Sequence, residues 1–290
     1  MQHSGLSLAR GLASSDSFSW NLWRDGHAMW QYVFMQHAFE AGTMVAIVAG
    51  LVGYFVVMRR LSFAAHALSH AGFAGAAGAV LVGLNPLAGL LAFTSVGGLA
   101  MAALGKRAAS RDVQIGTVLA FMLGLGVLFI SLYKGYATEA YSLLFGEILG
   151  ISRSDVLATL LVGCVIVAAV GLFFRRLLFT SLDEDVAEAR GVSIAGAGIV
   201  CMMLIAVATS IAVQVVGVLL IFSLMVTPAA IAQRLARRPA QGVALSVGIA
   251  LVATWFGLFI SYYAPYPVSF FITSFVFALY LIVRLLVPSV

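Results

Sequence analysis

Eight stretches of roughly twenty residues in this chain are nearly free of charge, and the charges lying between them gather into short basic clusters. A helix needs about 20 mainly apolar residues to cross a hydrocarbon layer ~30 Å thick. The candidate spans run approximately from 36 to 57, 62 to 83, 87 to 104, 114 to 133, 155 to 174, 193 to 212, 242 to 262 and 267 to 287. A further apolar stretch, 213 to 228, is shorter and is interrupted by Gln214, Gly217 and Pro228, so it reads as a short span or a re-entrant piece. The sequence therefore predicts eight or nine spans. Lipid offers no hydrogen bonds to an open backbone, and alternating barrel strands are absent, so the fold class is all-α and polytopic. With 62% hydrophobic and 9% charged residues, a soluble domain of 290 residues could not solvate its own surface.

The basic residues set the orientation. Arg59 and Arg60, then Lys106, Arg107 and Arg111, then Arg175, Arg176 and Arg190, then Arg234, Arg237 and Arg238, and finally Arg284 alternate with basic-poor turns at Asn85-Pro86 and from Tyr262 to Pro267. By the positive-inside rule this group is cytoplasmic. The pattern works only if 213 to 228 returns to the cytoplasmic side, which places the amino terminus outside. The net charge of +5 thus belongs to loops facing an anionic inner leaflet, not to a nucleic-acid groove. Residues 1 to 35, with Trp20, Trp23, Arg24, Asp25 and Trp30, read as an amphipathic interfacial segment. Residues 36 to 290 read as a single transmembrane domain. Cys164 and Cys201 fall in apolar segments without CxxC spacing and read as small buried hydrophobes.

Against this apolar background, His66-Ala67-Leu68-Ser69-His70 stands out, because ionisable residues inside a membrane are expensive and mark functional sites. The i, i+4 spacing puts both imidazoles on one helix face, where neutral nitrogens can hold one divalent cation. His70 lies about 15 Å beyond Arg60 along a helix, close to the middle of the bilayer. The plainer reading is that each ring hydrogen-bonds a neighbouring helix. Two ligands alone make a weak, transient site, which suits transport better than storage. His37 and Glu40 form a second pair, i, i+3, at the outer start of the first span, where they can receive a cation or simply cap a solvated helix end.

Other features read structurally. Asp183, Glu184 and Asp185 favour the positive end of a short helix that Gly191 terminates. Asp112 reads as the cap of a helix starting near Val113. Between Pro228 and Pro239 the chain reads as a short, basic, amphipathic cytoplasmic helix. Through Pro228, Ala229, Ala230, Arg234 and Arg237 it is suited to docking in a groove of a soluble partner, or to lying on acidic lipid. No GxxxxGK[ST] motif is present, so ATP energy must come from another polypeptide and the chain is not itself an enzyme.

Six segments in order resemble the metal-ion ABC permease family, the membrane subunits of bacterial zinc, manganese and iron importers. They are Val57 to Phe63, Ala67 to Gly75, Asp112 to Gly116, Ser142 to Leu149, Ser181 to Ala187 with Gly191, and Val216 to Leu220 leading to Pro228-Ala229-Ala230. The resemblance covers about Gly42 to Val287. It implies an importer permease fold in the bacterial inner membrane, two permease copies forming a homodimer, and a cytoplasmic ATPase pair docking on the Pro228 to Pro239 segment. It also implies a periplasmic binding protein that delivers metal. The family pattern usually has aspartate where His66 stands. Two imidazoles in place of an aspartate–histidine pair fit zinc better than manganese, so the zinc-importing branch is the closer resemblance. No permanently bound cofactor is expected, and the zinc ion is cargo.

Two competing classes remain open on the residues alone. A secondary transporter or channel would need no ATPase, but paired broken helices in two matching repeats are not visible. An intramembrane metalloprotease would need the glutamate of HExxH, and Ala67, Leu68 and Ser69 fill that interval instead.

Overall fold

A computed structural model describes residues 29–104, 108–132, 146, 148–264 and 266–287. Nine α-helices are present among them: α1 Val33–Met58, α2 Ser62–Leu81, α3 Pro86–Leu104, α4 Ala108–Leu132, α5 Arg153–Leu182, α6 Glu184–Ala189, α7 Ile194–Leu235, α8 Pro239–Tyr263 and α9 Val268–Leu286. Seven of these are long and apolar enough to cross a bilayer, and α2, which carries the histidine pair, is not among them. Helices α1 and α7 are mostly buried, whereas α3, α4, α5, α8 and α9 present most of their surface outward. Leu157, Leu161, Val165 and Leu172 on α5, and Phe277 and Leu281 on α9, are exposed. Such side chains would be an aggregation liability in water and are solvated by acyl chains in a membrane.

The 42-residue α7 is far longer than a membrane is thick, and Gly217 breaks it. Its φ of 81° and ψ of 165° lie in a region that essentially only glycine occupies. On a straight helix, Ala197 and Gln233 would stand more than ~50 Å apart. Yet the Ala197 carbonyl accepts a 3.4 Å hydrogen bond from Arg59 Nη1, and Gln233 Nε2 donates at 3.3 Å to the carbonyl of Tyr54, both at the end of α1. Near the break, Gln214 Nε2 donates at 3.0 Å to Asp155 Oδ1 at the start of α5. The chain therefore runs outward to Gly217 and folds back, giving two arms. The segment from 213 to 228 returns to the basic side, as the charge pattern requires. Counted by length and apolarity, the described residues hold seven candidate spans, with α2 and the second arm of α7 packed among them.

Three local expectations are corrected. The segment after Pro228 is not a separate short helix: α7 continues to Leu235 with Pro228 inside it, because the residues around Pro228 pack into the core. Asp112 lies within α4, which starts at Ala108, so it is not that helix's cap. Cys201 is buried as expected, but Cys164 is exposed on the outward face of α5. Helix α5 also runs two turns beyond the apolar segment to Leu182, since exposed Arg175 and Arg176 end the hydrophobic pattern without interrupting the backbone ladder. The acidic segment forms as expected: Asp183 caps α6 by accepting from Val186 N at 3.0 Å, and Gly191 leaves it with a φ of 77°. Trp20, Trp23, Arg24 and Asp25, with most of the amino-terminal segment, lie outside the described residues.

Helices α2 and α3 cross closely where Gly75 meets Gly89. A Cβ on either glycine would collide with the other's carbonyl. Small residues let membrane helices approach in this way without help from a hydrophobic driving force. Gly75→Leu should therefore lower stability by about 1 to 3 kcal/mol or more, read as thermal unfolding of the purified protein in detergent. Gly124→Leu, at a position with open space around it, should leave the midpoint unchanged.

Candidate metal-contact site

Helix α2 is built from alanine, glycine and serine on nearly every side and packs against α3, α4 and α7. Its small side chains allow close neighbours, and its two imidazoles are the largest polar groups it carries. The His66 and His70 ring centroids lie 4.7 Å apart in an edge-to-face arrangement of 84°. Phe222, on the returning arm of α7, packs its ring edge-to-face with His66 at 5.0 Å. Both histidines are partly exposed, but Nδ1 of each is buried with no hydrogen-bond partner.

A buried imidazole nitrogen without a partner forfeits about 1–3 kcal/mol, whether it carries a proton or a bare lone pair. The plainer reading of two histidines bonded to neighbouring helices therefore fails at Nδ1. Ser69, between them, is satisfied by donating to the Ala65 carbonyl at 3.0 Å. Among the described residues, no group of three or more His, Cys, Asp or Glu is placed to hold a metal. The two rings therefore face each other with no third potential ligand beside them among the described residues.

The arrangement leaves the protease chemistry without a base, since Ala67, Leu68 and Ser69 occupy the turn between the rings. Thr94 Oγ1 and Ser210 Oγ form a buried 2.6 Å hydrogen bond between α3 and the outgoing arm of α7. No sequence pattern marks this pair, because single hydroxyls in apolar spans are ordinary.

His37 and Glu40 are held by the segment leading into α5. The Ile151 carbonyl is 3.3 Å from His37 Nδ1, and a carbonyl can only accept, so Nδ1 donates. Glu40 pairs with Arg153 in the one salt bridge found among the described residues. Beside it, Ser152 Oγ donates to Asp155, and Asp155 accepts from Gln214 next to the α7 break. The outer ends of α1, α5 and α7 are joined by this polar chain.

The proposed docking residues divide by depth. Pro228 and Ala229 are buried, Ala230 and Arg234 are half-buried, and Arg237 is exposed beyond the end of α7. Surface contact is available to Arg237 with neighbouring Leu235 and Arg238, and not to Pro228 and Ala229.

The manganese transport system membrane protein MntC of Listeria monocytogenes is 31% identical over 80% of this chain and 83% of its own length. The high-affinity zinc uptake system membrane protein ZnuB of Haemophilus influenzae is 28% identical over 85% of this chain and 96% of its own. The solved structure of PsaBC from Streptococcus pneumoniae in complex with a Fab superposes with a TM-score of 0.83 at 30% identity. That match covers 92% of this chain and 96% of the solved one. These relatives are membrane and permease proteins, in keeping with a subunit that carries no ATPase motif. The profile of the ABC 3 transport family matches residues 31–287, and the chain belongs to that family.

Proposed function

We propose that this protein is the permease subunit of an ATP-driven importer of divalent transition metal, with zinc as its cargo and His66 and His70 as transient ligands. The observation that carries this reading is the pair of adjacent imidazoles with buried, unpartnered Nδ1 atoms on a membrane-embedded helix. Neutral imidazole binds zinc well and manganese less well, since carboxylate and water suit the harder ion. Relatives such as MntC are named for manganese and ZnuB for zinc, so the cargo turns on the residues themselves. His66, in place of the acid that resemblance leads one to expect, favours zinc.

The cation arrives from a periplasmic binding protein at the outer ends of α1, α5 and α7, and passes to the histidines. Two ligands hold it loosely enough to let go. A cytoplasmic ATPase pair meets two permease copies at the basic end, where Leu235, Arg237 and Arg238 are exposed. ATP-driven motion of α7 about Gly217 then changes which side the site faces.

Replacing both His66 and His70 with alanine, at preserved expression, should abolish zinc uptake by cells carrying the ATPase and binding protein. Each single change should weaken metal affinity by at least about tenfold. Unchanged uptake would rule out the assignment. His66→Asp should shift competition toward manganese, and an unaltered zinc-to-manganese ratio would show that this position does not select. The Glu40–Arg153 pair is well exposed, with side chains 41% and 58% accessible, and such pairs contribute about 0–1 kcal/mol. Glu40→Gln should leave the thermal midpoint nearly unchanged. A fall in uptake at that unchanged midpoint would assign Glu40 to receiving the cation, and intact uptake would leave it a helix-end contact.

A further inference from the structure

A cavity of about 920 Å³ opens at the basic end of the bundle, between the α1–α2 turn, the end of α3, the α5–α6 corner and the first turns of α7. Its polar lining is Arg59, Arg60, Thr180, Ser181, Glu188 and Ser193. Much of the remaining wall is apolar, with Met58, Met101 and Met202 among its side chains.

Half-buried Arg59 is fixed there by neutral acceptors. Nε donates to Ser181 Oγ at 2.9 Å, Nη2 to Thr180 Oγ1 at 2.7 Å and Nη1 to the Ala197 carbonyl at 3.4 Å. The salt bridge found among the described residues lies at the opposite end of the protein, and among those residues Arg59 has no carboxylate partner. A guanidinium withdrawn from water without a counter-charge is unfavourable, and these bonds together with its contact to the buried Cys201 thiol are all to uncharged groups. Arg60, exposed and in a left-handed conformation with a φ of 56°, lines the same cavity and makes no ion pair among the described residues. The start of α7, where Ser193 Oγ accepts from Gly196 N at 3.1 Å, adds its positive dipole end to the wall. Glu188 is the opposing charge on the lining.

We propose that this cavity binds a phosphate-bearing anion, with Arg59 and Arg60 as its cationic ligands. The planar guanidinium fork matches phosphate oxygens in pairs, which a point charge does not. The site lies at the membrane face where anionic headgroups concentrate, and its apolar wall can hold the glycerol and first methylenes behind a lipid phosphate. A soluble phosphate shares the recognition chemistry. Because Arg59 ties α1 to α5 and α7, the bound anion completes a joint between these helices.

The test uses the full-length permease in mild detergent. Native mass spectrometry compares retained phosphatidylglycerol with zwitterionic phosphatidylcholine, and thermal unfolding is followed with added inorganic phosphate. Binding of phosphatidylglycerol about fivefold above phosphatidylcholine, falling to parity in Arg60→Gln and reduced in Arg59→Lys, supports the site with a lipid source. Stabilisation by inorganic phosphate that both variants lose supports it with a soluble source. Arg60 is exposed, so Arg60→Gln should fold even if changes at Arg59 do not. Arg284→Gln, at another basic end position, should alter neither signal. The proposal is overturned if neither probe binds above the phosphatidylcholine level, if folded Arg60→Gln keeps the full preference, or if Arg284→Gln abolishes it equally.

Discussion

Close approach between small residues is the constraint on which the rest of this bundle depends. Lipid is as apolar as leucine, so helices in a membrane gain little from burying apolar side chains against one another and must gain from contact. Helix α2 meets that demand with alanine and glycine on most of its surface, and where Gly75 crosses Gly89 no side chain could be fitted. A helix so poor in large apolar groups would be a poor span alone. Surrounded by α3, α4 and α7, it is held in place by its neighbours, and it carries two imidazoles to a depth that lipid by itself would oppose.

The ends of the bundle are organised differently from its middle. At the outer end, Glu40 with Arg153 and Ser152 with Asp155 and Gln214 link three helices through polar contacts close to the α7 break. At the inner end, Arg59 performs the corresponding task for α1, α5 and α7. Both sets reach α7, whose two arms are separated by one glycine in a conformation other residues avoid. The break lies at the outer turn, and the returning arm beyond it places Phe222 against His66.

Much of this was legible in the residues. Spans α1, α2, α3, α8 and α9 begin and end within a few residues of the apolar segments, because charge and proline mark membrane boundaries directly. The His66–His70 face was legible from a four-residue spacing. Helix ends outside the lipid were not: α5 continues past Arg175 and α4 begins before Asp112, because hydrogen-bonded backbone persists where hydropathy has already changed. Pro228 misled for a similar reason. Proline removes one intrahelical bond, yet tight packing of the surrounding residues holds the helix through it.

Apolar length, basic clusters and the histidine spacing by themselves determined that this chain is an all-helical multi-pass membrane protein with two imidazoles on one helix face. Those properties follow from transfer energetics and helix periodicity, which are local. Only the tertiary structure decided that α7 folds back at Gly217, that both Nδ1 atoms lack partners, and that Arg59 stands uncompensated beside a cavity. Each of these depends on which atoms from distant segments come within a few ångströms, and no local pattern encodes that distance.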